Sequence, residues 1–206
     1  GFGAHRIEGI GDKHVPWIHN VKNTDMLLGI DDAVPMSMIR LFNEPAGKEY
    51  LAGIGVAKDL VDRLDLLGIS GAANLAAAVK FAKYYELGAG DVVLTILTDS
   101  MEMYGSRLAE LADDCGPFSA TDAVAAHARH VLGLGLDNAQ ELNYYDRKRV
   151  HNLKYYTWVE QQGKTFEEIQ AQWYEDDYWT SIPSNVDKID ALIDAFNERT
   201  GLLKDL

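Results

Sequence analysis

Asp99 and Ser100 close the apolar run Val92-Val93-Leu94-Thr95-Ile96-Leu97-Thr98, a position from which side chains can do chemistry. The run is too short for a core helix and is β-branched and apolar almost throughout, which predicts a strand covered on both faces. Side chains at the end of such a strand project into the crevice where open α/β sheets bind ligands. A carboxylate there can hold a proton on a basic ligand atom, whereas a hydroxyl offers only a neutral hydrogen bond. Near the start of the chain, Gly9-Ile10-Gly11 form a turn whose backbone can approach a ligand with no Cβ in the way. Asp12 and His14 follow directly. Ser70 and Gly71 stand at a helix start, a place that suits an anion, although Ser70 reads chiefly as a cap. His127 and His130 share a helix face at i, i+3. No further histidine or carboxylate has the spacing to complete a metal site, so no metal is expected. His5, His14 and His19 cluster around the glycine turn. Cys115 has no base partner and reads as packing, and Ser106 and Ser119 lie in no nucleophile elbow.

The elements that must position these residues differ along the chain. Up to about Ile30 the text is glycine-punctuated, with short strands at Arg6-Ile7-Glu8 and Met26 to Ile30. Asn43-Glu44-Pro45 opens a helix that runs to about Leu67, proline being tolerated in the first turn. An alanine-rich helix from Ala72 to about Leu87 leads into the 92–97 strand. A helix followed by a buried strand is half of a parallel α/β layer. From Ser119 onward the pattern is helical: Ser119 to Leu132, Asn138 to Gln162, Thr165 to Trp173 and Val186 to Thr200. Ser119 with Asp122, and Thr165 with Glu168, have capping-box spacing. The aromatic residues crowded into this part read as packing against the α/β layer or a second subunit.

Composition narrows the partners. The 206 residues carry 32 acidic and 19 basic side chains, a formal charge of −13. Such a surface repels nucleic-acid phosphates and anionic lipid, so neither nucleic acid nor a membrane is an expected partner. No apolar run approaches the roughly 20 residues that span a bilayer. A single cysteine excludes an internal disulfide and points to a reducing, cytoplasmic compartment. The sequence lacks an initiator methionine and a signal-peptide pattern, which predicts a segment of something longer.

Two segments together resemble the fold type II pyridoxal-phosphate enzymes, the family of cysteine synthase, cystathionine β-synthase and threonine dehydratase. The first is Ile7-Glu8-Gly9-Ile10-Gly11-Asp12-Lys13-His14-Val15-Pro16, similar to the family's "EGIG…P" turn. The second is Leu67-Gly68-Ile69-Ser70-Gly71-Ala72-Ala73-Asn74, then the 92–97 run, then Thr98-Asp99-Ser100. This resembles the family's "G-I-S-[SG]-G-A" helix start and the strand ending "L-P-[DS]-S", with threonine standing here for proline. The resemblance covers about residues 5 to 108 and implies the C-terminal half of such an enzyme. It implies an α/β fold, a partial parallel sheet flanked by helices (tryptophan synthase β-like), with an all-helical C-terminal extension. On this reading residues 1–112 belong to the cofactor-binding domain and 113–206 to the extension.

The cofactor implied is pyridoxal 5'-phosphate. The resemblance puts Ser100 at its pyridine nitrogen, with Asp99 the rival occupant. It puts Gly9, Ile10 and Gly11 along the cofactor face, Asp12 at the substrate mouth and His14 within reach of substrate. A serine cannot protonate the ring, which suits β-elimination and β-replacement on a β-substituted L-amino acid better than transamination. The family's lysine motif "S-x-K" and its "G-T-G-G-T"-like phosphate loop occur nowhere in these residues, and Lys13, Lys22, Lys80 and Lys83 stand in other contexts. The catalytic lysine is therefore expected from the N-terminal half of the same enzyme, and the complete enzyme is expected as a homodimer. The alternatives are a lysine-less regulatory or scaffolding subunit that pairs with a complete enzyme, and an unrelated α/β ligand-binding domain.

Overall fold

The computed structural model describes residues 4–7, 9–10 and 14–201. The chain divides into two compact units, Gly1–Lys13 with Met26–Glu141 and His14–Asp25 with Leu142–Leu206.

The first unit is a helical core with one small ribbon. Strand β1 (Met26–Leu28) pairs antiparallel with β2 (Ala139–Glu141), in the register Met26↔Glu141 and Leu28↔Ala139. Helix α1 (Ala33–Asn43) contributes Met36, Met38, Ile39, Leu41 and Phe42 to the buried apolar core. Pro45 forces the residue before it out of the helical region. Glu44 accordingly sits at φ −81°, ψ 147°, and α2 (Pro45–Gly53) starts in a new direction. Gly55, at φ +93°, closes that stretch. Instead of one helix reaching Leu67, the chain makes a short α3 (Lys58–Val61) and a 3₁₀ turn at Leu64–Leu66. Helix α4 (Ile69–Tyr84) packs its alanine face on α1, with Ala72 and Ala76 wholly buried. Small side chains permit that close approach, and the contact excludes water from both helices. Helices α5 (Gly105–Cys115) and α6 (Ala120–His127) follow, the latter opened by the Ser119–Asp122 capping box and continued by a π-helical turn at Ala128–Leu132.

The expected α/β layer is not formed. The described residues contain a two-stranded antiparallel ribbon and otherwise helices, with no parallel sheet. Residues 91–100 run without helix or strand, and among the described residues no backbone–backbone hydrogen bond reaches residues 92–98. Val92 is 91% exposed and Leu94 88%. The local sequence favours an extended chain, but a strand exists only where a neighbouring strand meets its amide groups. Among the described residues no such neighbour lies alongside. The segment is tethered to α4 instead, where Asn74 Nδ2 donates to the Ile96 carbonyl at 2.8 Å.

The second unit comprises α7 (Tyr144–Asn152), a π-helical turn at Tyr155–Val159, α8 (Phe166–Tyr174), a short α9 (Tyr178–Ser181) and α10 (Val186–Thr200). Capping boxes open α7 at Asn143–Asp146 and α8 at Thr165–Glu168. Gly201 in the left-handed region (φ +68°) stops α10. The segment 14–25 is held against these helices by side chains reaching its carbonyls. Trp158 Nε1 donates to Val15 O at 2.8 Å, Arg147 Nε to Thr24 O at 2.8 Å, and Lys154 Nζ to Trp17 O at 2.9 Å and His19 O at 2.8 Å. Among the described residues no single helix is long and apolar enough to cross a membrane.

Candidate functional site

The N-terminal end of α4 gathers residues from both motif segments. Gly68 is the N-cap, extended at ψ −174°, and Ser70 is the second helical residue rather than the cap. The Gly68 amide donates to the Asp99 carbonyl at 2.9 Å. A Cβ at position 68 would run into the Asp99 carboxylate, so only glycine lets the 99–100 segment lie this close. From the other side comes Gly9, where a Cβ would stand 2.7 Å from Ser70 Oγ. Ser70 is 2% exposed, so the glycine turn covers it without leaving room for a side chain. The first-turn amides of α4, which a helix leaves without intrahelical partners, thus lie next to a glycine turn and an Asp-Ser pair.

Asp99 and Ser100 differ in what they have free. The Tyr104 hydroxyl donates to Asp99 Oδ2, and Thr98 Oγ1 donates to Oδ1 at 3.2 Å. The carboxylate is therefore turned to its own neighbourhood. Ser100 precedes the 3₁₀ turn Met101–Met103, yet its hydroxyl does not cap that turn. It lines an open cleft of about 460 Å³ together with Asn43, Asp65, Leu66, Met101, Glu102 and Leu108. Among the described residues, two carboxylates and no basic side chain line this cleft.

Of the residues expected at the site, Gly9 and Ile10 lie in the turn beside Ser70, and Asp99 and Ser100 beside Gly68. Gly11 and Asp12 lie outside the described residues, as does Glu8 of the same motif. His14 belongs to the second unit. Cys115 is exposed rather than packed. His127 Nδ1 is 3.0 Å from the Tyr50 hydroxyl and packs edge-on against that ring.

Sequence reasoning missed Asn74 and Tyr104, the side chains that hold the 96–100 segment in place. Both are polar residues at the edges of the quoted motifs, which is the only local signal. It also missed a polar core in the second unit. Lys154 is fully buried and donates to Gln172 Oε1 at 2.6 Å as well as to the two carbonyls above. Burial pushes its pKa down to about 8. His151, 1% exposed, meets Ile169 O through Nε2 at 3.0 Å, and burial lowers its pKa to about 4. Lys148, His151 and Lys154 recur every three residues, a spacing that places them along one stretch of helical surface.

Searches of known family models, curated proteins and solved structures returned no match to this chain.

The residues fit one end of pyridoxal phosphate and not the other. Ser100 lines a cleft and its side chain does not cap the following turn, as a partner for a pyridine nitrogen requires. The same cleft, with Asp65 and Glu102 and no cation among the described residues, does not fit a phosphate dianion.

Proposed function

We propose that this chain supplies one part of a pyridoxal-phosphate-dependent enzyme that eliminates or replaces the β-substituent of an L-amino acid. The observation that carries the reading is the meeting of two distant motif segments at one helix end: Gly9 against Ser70, and Asp99-Ser100 against Gly68. When bound, the cofactor supplies the electron sink for deprotonation at the substrate α-carbon. Ser100 gives the ring nitrogen a neutral hydrogen bond, while the Asp99 carboxylate, occupied by Tyr104 and Thr98, stays away from it. Gly9 and Ile10, in the turn beside Ser70, line the cofactor face on this reading. The phosphate loop and the lysine come from the N-terminal half of the same enzyme, which acts as a homodimer in the cytoplasm.

A second reading, a lysine-less regulatory or scaffolding subunit of such an enzyme, is favoured by the carboxylates of Asp65 and Glu102 in the Ser100 cleft. The test is to isolate the full gene product and record its near-visible absorbance and its products from a β-substituted L-serine with sulfide. A cofactor-loaded, active protein is expected, with Ser100→Ala weakening cofactor affinity about fivefold, the equivalent of one neutral hydrogen bond. Ser100→Asp is expected to divert flux toward racemisation. A product with no cofactor and no turnover that still binds a complete enzyme would transfer the case to the second reading.

A further inference from the structure

The second unit contains an open cavity of about 670 Å³ that the reading above does not use. Its size lies within the roughly 300–1,000 Å³ of small-molecule sites. Five of its eleven lining residues are aromatic: Tyr145, Tyr155, Tyr156 and Phe166, with Tyr174 at the last position of α8. These rings face solvent, Tyr145 at 80% exposure and Tyr174 at 62%, so a flat apolar body entering the cavity would cover surface that is now wet. Lys148 and Arg149, adjacent on α7, bring positive charge to the lining, and among the described residues no carboxylate lines it. In a chain of net charge −13 that is a local reversal of sign.

Lys148 is the informative group. Its Nζ is buried and has no hydrogen-bond partner among the described residues. It lies 4.7 Å from the ring centroid of Trp173 and 4.3 Å from that of Tyr174. Ring faces attract a cation but leave its N–H donors without acceptors, and a desolvated donor without an acceptor is unfavourable. Burial accordingly lowers the pKa of this amine. Arg149 already faces Asp146 at 3.8 Å, which leaves Lys148 as the cation in need of an anion. The exposed Tyr174 ring and Lys148 both line the cavity.

We propose that this cavity binds a small aromatic carboxylate, its ring between the tyrosines and its carboxylate on Lys148. Aromatic walls select a flat body through stacking and edge contacts, and a charge-assisted hydrogen bond to the ammonium selects the anion. The site is independent of the α4 region and does not require pyridoxal phosphate.

The test uses the full chain and benzoate as probe, with benzamide as its neutral counterpart of nearly the same shape. Every tryptophan lies in the second unit, and Trp173 packs against Lys148, so titration can be followed by tryptophan fluorescence and checked by calorimetry. Saturable benzoate binding is expected, with benzamide at least tenfold weaker. Lys148→Met keeps the stem and removes the charge, and should weaken benzoate at least tenfold while leaving benzamide within twofold. Equal binding of benzoate and benzamide to the unaltered chain, or no saturable binding of either, overturns the proposal without reference to any variant. Undiminished benzoate binding by a folded Lys148→Met overturns it as well.

Discussion

Gly9 and Ser70 approach so closely that a Cβ on Gly9 would stand 2.7 Å from Ser70 Oγ. The residues are far apart in sequence, and the contact ties the glycine turn to the start of α4. Gly9→Ala should therefore destabilise the first unit by about 1–2 kcal/mol through overpacking. The next atom, Ser70 Cβ, is 3.8 Å from the same point, an ordinary contact. Removing the hydroxyl with Ser70→Ala should thus recover much of the loss, with a coupling of about 1 kcal/mol in a double-mutant cycle by urea unfolding. Strict additivity of the two substitutions would show that the turn does not sit on Ser70.

A second glycine is held by backbone instead. A Cβ on Gly47 would meet the Leu41 carbonyl oxygen, with its carbon at 2.7 Å and the Leu41 Cα at 2.8 Å. Main chain cannot rotate away as a serine hydroxyl can. Gly47→Ala should cost about 3 kcal/mol or more, by separating α2 from α1. Gly88→Ala, where nothing lies within 4 Å, should stay within about 0.5 kcal/mol of the unaltered chain. Thermal melts followed by circular dichroism at 222 nm would rank the pair, and equal melting temperatures would refute the packing argument.

His151 predicts acid sensitivity of the second unit. Its folded pKa is about 4 against a reference of 6.5, chiefly because burial disfavours the charged ring. Below pH 6.5 the unfolded chain takes up a proton that the folded chain resists down to about 4. Stability is therefore complete above pH 6.5 and falls by up to about 3 kcal/mol as pH drops through that window. Tryptophan fluorescence across a urea titration at stepped pH should display this slope. His151→Gln should flatten it, and an unchanged slope in the variant would place the acid sensitivity elsewhere.

Lys154 predicts the opposite end of the scale. Burial holds its pKa at about 8 against 10.5. Between those values the unfolded chain keeps a proton that the folded chain has lost, so this group's contribution to stability rises with pH by up to about 3 kcal/mol. Lys154→Met should abolish that rise. It should also cost about 3 kcal/mol at pH 7, because Trp17 O, His19 O and Gln172 Oε1 lose their donor. The difference between the two proteins' stability curves from pH 7.5 to 10.5 is the measurement, and parallel curves would contradict the assignment.

What could be read without coordinates was what depends on a few neighbouring residues. The capping boxes at Ser119–Asp122 and Thr165–Glu168 form as their spacing implies, because both partners lie within one turn. Helix α10 spans Val186–Thr200 and stops at Gly201, and β1 falls within the expected Met26–Ile30. Ser100 and Asp99 were singled out by their place at the end of an apolar run, and the meeting of that run with Gly68 rests on a close approach that only glycine allows. The parallel sheet was misread from the same run. Extended propensity is local, but a sheet needs a second chain segment to take up its amide groups, and residues 92–98 have none alongside among the described residues. Likewise Lys148, His151 and Lys154 look like ordinary surface residues in a polar helix. Their burial, shifted titration and unmatched charge arise only where the 14–25 segment and α8 close over them, which depends on tertiary packing rather than on any local pattern.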